Sequence, residues 1–114
     1  MAVVKPADGP RRGDVYLISL DPTIGREIKK TRPCVVVSPD DLNQHLSTFL
    51  VAPLTSGGYA YPFRISCRFQ KRDGTIVLDQ IRTIDRRRLV KRLGRMTPTT
   101  MTKVLETLQE MFVE

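Results

Sequence analysis

From position 14 the chain alternates. Val15 and Leu17 fall on one side of an extended backbone and Tyr16, Ile18 and Leu20 on the other, so 14–20 predicts a strand. Asp21-Pro22 opens and Gly25 hinges a polar stretch, which predicts a long loop over 21–31. Cys34-Val35-Val36-Val37 is apolar without alternation, the pattern of a strand buried on both faces, and predicts a strand over 33–38. Pro33 suits its first position, where no ladder donor is lost. Pro39 followed by Asp40 and Asp41 predicts a short helical turn over 39–45. Further strands are predicted over 48–56, 62–69, 75–84 and 87–96, with a glycine loop at 57–61 and a hairpin turn at Lys71-Arg72-Asp73-Gly74.

The period then changes. Thr97 followed by Pro98 reads as an N-cap with proline in the first helical turn. Met101, Val104, Leu105, Leu108 and Phe112 follow at spacings of three and four, the stripe of an amphipathic helix that packs first on a core and second on another subunit. Short strands followed by one terminal helix predict a mainly β chain (β plus α), a strongly bent antiparallel sheet or small barrel with the helix packed on it. No repeat or linker divides the sequence, so 1–114 is read as one domain with 1–11 as a flexible lead-in. At this length folding buries roughly two-thirds of the chain's surface, enough for a core without covalent staples.

Composition narrows the function. The 19 Lys and Arg against 12 Asp and Glu leave a net charge of +7, which favours an acidic partner: nucleic acid, an anionic surface or an acidic protein. Two cysteines without a CxxC pair, Cys34 and Cys67, and a single histidine, His45, exclude a structural zinc site, and both thiols read as small buried hydrophobes. No charged-then-apolar leader and no bilayer-length apolar run is present, so the cytoplasm is the expected location and no membrane is expected. One histidine cannot supply a two-histidine acid–base pair within the chain, and no GxSxG, HExxH or phosphate-loop motif occurs. Catalysis on this chain would rest on arginine, hydroxyls and carboxylates. The candidates cluster at predicted strand ends: Glu27 and Arg32, Thr55 and Ser56, and Asp79 to Arg82. On residues alone, Arg32 reads either as a solvated strand-end cation or as a rigidly held anion binder. Asp79 reads as a proton acceptor, a partner of Arg82 or a turn acceptor, and Glu27 as a catalytic group or a counter-charge to Lys29 and Lys30.

Five blocks in register, "RGDVYLISLDPTIGREIKKTRPCVVVS", "VAPLTS", "YPFRI", "LDQIRTID" and "LGRM", resemble the MazF/PemK family of toxin endoribonucleases over nearly the whole chain from Arg12. The resemblance implies an SH3-like barrel of five to seven antiparallel strands with a C-terminal helix, working as a homodimer. It implies cleavage of single-stranded RNA at selected sequences with no metal or other cofactor, and neutralisation by a cognate acidic, MazE-like antitoxin. By the family's motifs Arg32 is the principal catalytic residue and Thr55 its partner, with Glu27 and Asp79 as proton-transfer candidates. One branch of the family has His where Arg26 stands and Arg where Val77 stands, so that branch's acid–base assignment does not carry over whole. The expected RNA-binding set is Lys29, Lys30, Thr31, Ser56, Tyr59, Tyr61, Gln80 and Arg82, with the tyrosines stacking on unpaired bases and the Arg86-Arg87-Arg88 run either steering phosphates or forming a solvated face. The same fold also serves non-enzymatic, CcdB-like toxins that bind DNA gyrase; those act through a Trp-bearing C-terminal segment, which this chain, ending Met111-Phe112-Val113-Glu114, lacks.

Overall fold

The computed structural model describes residues 9–57 and 61–114. The strands are β1 (Asp14–Ser19), β2 (Thr31–Val36), β3 (Thr48–Ser56), β4 (Arg64–Phe69), β5 (Arg72–Val77), β6 (Arg82–Asp85) and β7 (Leu89–Arg95), and the helices are α1 (Asp40–His45) and α2 (Pro98–Met111). Every recorded pairing is antiparallel, in the order β4-β5-β3-β2-β1-β7 with β6 also on β3. The expected small, bent β-sheet with a terminal helix is therefore present, with seven strands.

The sheet is apolar on both faces, and β2 shows why its sequence does not alternate. Val35 and Val37 point into one cluster with Val15, Ala52, Leu54, Ile65, Ile76, and Met101 and Val104 of α2. Cys34 and Val36 point into a second cluster with Ile18, Leu20, Phe49, Val51 and Ile84. β1 divides the same way, Val15 to the first cluster and Ile18 to the second, while two bulges against β7 leave Leu17 half-exposed. α2 is capped by Thr97, whose hydroxyl accepts from Thr100 N at 3.3 Å. Leu105 and Leu108 are half-buried, but Phe112 lies past the last turn and is 74% exposed, so it is not part of the packed stripe.

β3 is the central strand, and its partners change along its length. Leu50 turns its peptide groups toward the β2 side, accepting from Val37 N at 3.0 Å and donating to Ser38 Oγ at 3.0 Å. Strand alternation therefore turns those of Val51, Pro53 and Thr55 to the opposite edge. There β6 pairs with Thr48 to Val51, and β5 pairs with Leu54 to Ser56. Pro53 sits between the two and has no N–H to offer that edge. The register records the result: from Leu54↔Ile76 to Val51↔Arg82, three steps on β3 face six on the other chain. The excess is a 3-10 turn, Leu78–Gln80. The single strand predicted over 75–84 is thus two strands with a bulge opposite a proline. Two smaller boundaries also move. The β4–β5 turn is at Gln70 and Lys71, both with positive φ, rather than at 71–74, because Phe69 already pairs with Arg72. The last strand begins at Leu89 after a 3-10 turn at Arg86–Arg88, and β2 begins at Thr31, so Pro33 is its third residue.

The sheet ends, β4 and β7, meet through side chains. Phe69 packs on Gly94, where an added Cβ would lie 3.2 Å from the ring, and Gln70 Nε2 donates to Leu93 O at 2.9 Å. Elsewhere the buried Asp14 carboxylate accepts from Arg11 N at 2.9 Å and from Arg95 and Arg92 of β7 at 2.9 and 3.3 Å. Asn43 of α1 is fully buried, accepting from Ser38 Oγ at 2.5 Å and donating to Ser38 O at 3.0 Å. Replacing it in Asn43→Ala leaves a buried carbonyl without its donor and should cost about 1–3 kcal/mol. Urea unfolding checks this: the midpoint should fall with the slope unchanged, and an unmoved midpoint would show that the network adds no stability.

Candidate active site

The segment between β1 and β2 is a compact loop of the Ω kind. Leu20 N donates to Lys30 O at 2.9 Å and closes its base, and Gly25 and Lys30 take positive φ to let it turn back. Inside it, Ile24 N donates to Glu27 Oε1 at 2.6 Å and Glu27 N to Ile24 O at 3.2 Å. Glu27 therefore caps a turn of its own loop, and neither Lys29 nor Lys30 is its recorded ion-pair partner. The loop is also tied from outside. Arg82 Nη1 donates to Leu20 O at 3.1 Å, and Arg88 Nη1 to Ser19 O at 3.1 Å and Asp21 O at 2.6 Å. Gln80 accepts from Ile28 N at 2.7 Å and donates to Arg26 O at 3.4 Å.

The bulge opposite Pro53 faces this loop across a cleft of about 480 Å³, lined by Arg26, Glu27, Pro53, Asp79, Gln80 and Arg82 with apolar walls from Leu20, Ile28 and Ile81. A second hollow of about 460 Å³ shares Arg26, Asp79 and Gln80 with it and adds Tyr61 and Arg64. Arg64 holds Asp79 by two parallel bonds of 2.9 Å and lies 4.9 Å from the centre of the Tyr61 ring. These bonds hold the Asp79 carboxyl below its ordinary range and raise the guanidinium of Arg64. The partner of Asp79 is thus Arg64, not Arg82. Arg64 was not among the sequence candidates; its approach to Asp79 follows from the pairing Arg64↔Val77, which only the folded register supplies.

Arg32 and Thr55 lie outside the lining of these hollows but share one face of the sheet. β2 places Arg32 on the side of Cys34 and Val36, and β3 places Thr55 on the side of Val51 and Pro53, the face of the second cluster. The β2–β3 ladder ends at Cys34↔Pro53, and two further steps of its register would oppose Arg32 to Thr55. Arg32 is half-buried, and its Nε donates to Lys29 O at 3.2 Å. That leaves the two terminal amino groups to meet an anion. Lys29, Lys30, Thr31, Ser56 and Tyr61 are exposed around these strand ends, and Tyr59 lies outside the described residues.

Beneath Arg32, Cys34 is fully buried, and burial pushes its thiol up to about 12 despite the opposing pull of Arg82. Cys67 is only half-buried, and burial raises its thiol as well. Among the described residues no three His, Cys, Asp or Glu side chains converge. The cationic run serves the fold more than a ligand: Arg86 donates to the carbonyls of Asn43 and Leu46, Arg87 pairs with Asp85 at 3.0 Å, and Arg88 holds the loop base.

The model of the PemK-like, MazF-like toxins of type II toxin–antitoxin systems matches residues 11–112. Endoribonuclease PemK of Escherichia coli is 37% identical over 109 residues, 90% of this chain and 82% of the relative. Endoribonuclease MazF of Staphylococcus epidermidis is 36% identical over 100 residues, 82% of this chain and 83% of the relative. Among solved structures, MazF from Deinococcus radiodurans superposes with a TM-score of 0.80 at 25% identity, over 90% of this chain and 96% of that one. A mycobacterial endoribonuclease in complex with its cognate antitoxin gives 0.75 at 26% identity, over 89% and 92%.

The raised thiol yields a direct test. The neutral thiol is the unreactive form, so in folded protein at pH 8 a thiol reagent should leave Cys34 unmodified, and denaturant should release it. Labelling of Cys34 in the native protein as fast as in denaturant would contradict its burial. The sign for stability follows the same shift. From the ordinary thiol value near 9 up to about 12, the unfolded chain ionises first, so stability falls with rising pH in that window.

Proposed function

The chain belongs to the PemK-like, MazF-like toxins of type II toxin–antitoxin systems, and we propose that it cuts single-stranded RNA at selected sequences, without a metal ion, leaving a 2′,3′-cyclic phosphate and a 5′-hydroxyl. Its relatives at 36% and 37% identity are endoribonucleases. The observation that carries the chemical reading is the placement of Arg32 and Thr55 on one sheet face, at adjacent ends of β2 and β3, beside a cleft that holds Glu27 and Asp79.

The substrate's own 2′-hydroxyl attacks the neighbouring phosphorus and gives up its proton, the P–O5′ bond breaks, and the 5′-oxygen leaves by taking a proton from solvent water. Negative charge builds on the phosphoryl oxygens in between. A guanidinium steadied through Nε meets that charge with directed bonds. The Thr55 hydroxyl donates to a phosphoryl oxygen. Arg64 occupies both oxygens of Asp79 and keeps it ionised, which makes it a poor proton acceptor. Glu27, exposed on the cleft rim and holding one loop N–H, is assigned to accept the 2′-hydroxyl proton. Asp79 then serves to aim Arg64 beside Tyr61. Lys29, Lys30, Thr31 and Ser56 track the backbone, and Tyr61 with the Arg64 beside it belongs to the RNA-binding surface.

The active form in this reading is a homodimer in the cytoplasm, and its partner is an acidic antitoxin. A disordered acidic segment wraps a broad basic surface because it orders only on binding, and opposite charge speeds its capture. The solved antitoxin complex of a mycobacterial relative supports this reading.

The deciding experiment is incubation with a long RNA in excess EDTA, followed by mapping of the cut ends. Discrete cuts with cyclic-phosphate ends are expected, and uncut RNA would overturn the proposal. Arg32→Ala should keep the fold and lower the single-turnover rate by about a hundredfold to a thousandfold; a normal rate in that variant would remove Arg32 from the chemistry. For the carboxylates, Glu27→Gln should lower the single-turnover rate by about a hundredfold or more, and Asp79→Asn should lower it less. The reverse result would exchange their roles.

A further inference from the structure

Sequence blocks and cleft lining both put Gln80 where a base-reading amide belongs. Its hydrogen bonds point elsewhere. Oε1 accepts from Ile28 N at 2.7 Å and Nε2 donates to Arg26 O at 3.4 Å, so both ends of the amide are committed to the loop. The two bonds bracket Glu27, holding the peptide before it and the peptide after it. We propose that Gln80 is a positioning residue, a clasp that fixes the backbone on both sides of Glu27 over the cleft, and that it does not read RNA.

Several features make the clasp effective. The loop's base is closed by Leu20 and Lys30, and its entry is tied by Arg82 and Arg88, which hold the carbonyls of Ser19, Leu20 and Asp21. The stretch from Arg26 to Ile28 lies beyond those ties. Gln80 reaches it across 52 and 54 residues of sequence, and Ile28 packs against the second cluster, so the polar clasp and an apolar anchor fall on one residue. Gln80 itself stands on the 3-10 turn opposite Pro53, closed by Ile81 N donating to Leu78 O at 3.2 Å. Asp79, its neighbour in the turn, grips Arg64 of β4. Two consecutive side chains of one turn thus hold the β1–β2 loop on one side and β4 on the other.

For the kinetic arm of its test the clasp rests on the RNA-cleaving reading above; the exchange arm does not. The full-length protein, Gln80→Ala and Gln80→Glu are compared by amide hydrogen exchange without RNA, by single-turnover cleavage and by cut-site mapping. Gln80→Ala should exchange the Ile28 amide about tenfold faster and cut about tenfold more slowly, at unchanged sequences. Gln80→Glu keeps the acceptor facing Ile28 but loses the donor to Arg26 O, so it should retain the Ile28 amide's protection and cut at a rate between those of the wild type and Gln80→Ala; it also serves if Gln80→Ala does not fold. Unchanged Ile28 exchange in Gln80→Ala overturns the clasp, and altered cut-site preference with unchanged exchange makes Gln80 a base reader instead. Faster exchange with a wild-type rate overturns the positioning role. If the wild-type protein cuts no RNA, the proposed function fails, and Ile28 exchange alone then decides whether the clasp exists.

Discussion

The interaction on which the rest of the structure depends is one that cannot form. Pro53, in the middle of the central strand, has no N–H for the edge that β5 and β6 share. An uninterrupted ladder would have carried Asp79 and Gln80 into strand pairing, with alternate side chains turned to opposite faces. The missing donor instead lets three surplus residues leave the sheet as a turn, and that turn carries the carboxylate that holds Arg64 of β4 and the amide that holds the β1–β2 loop. The site is thus built at a defect in the sheet, where polar groups can project without breaking a core.

The two apolar clusters hold that defect rigid. β2 contributes to both, and this explains a strand with no polar face. A strand packed on both sides cannot rotate, so whatever its first residues carry is aimed by the core behind them. Arg32 follows Thr31 at that end and stands directly before the half-buried Pro33, beyond which the burial of Cys34 is complete. The cations at the doorstep of a core strand are there because the core gives a guanidinium a fixed place to stand.

Much of this was legible in the sequence. The continuous apolar run of β2, the alternation of β1 and the Thr97-Pro98 entry to α2 are local signals, and each element appeared within a few residues of its expected place. Arg32, Thr55, Glu27 and Asp79 were candidates through the family blocks that contain them, and of these the folded chain brings Glu27 and Asp79 to one cleft. What was not legible depends on register. The strand expected over 75–84 divides because of a proline in another strand, and Arg64 meets Asp79 because β4 pairs with β5 at one offset and no other. The arginine run misled for a related reason. Its charge is visible in the sequence, but the backbone carbonyls that Arg86 and Arg88 bind, roughly forty to seventy positions away, are not.

The seam between β4 and β7 has a mechanical consequence. Every other junction in the sheet is a ladder of peptide hydrogen bonds, whereas this one is recorded as a ring against a glycine and one glutamine side chain. A bent sheet whose ends meet only in this way has a line of weakness there. Breathing motions that admit solvent cost least there, because few peptide groups need lose a partner. The seam runs through Phe69, Gln70, Leu93 and Gly94, while the cleft is framed by the β1–β2 loop and the turn after β5. Opening along the seam therefore reaches the cleft only through β4, which carries Phe69 at one end and Arg64, the holder of Asp79, at the other.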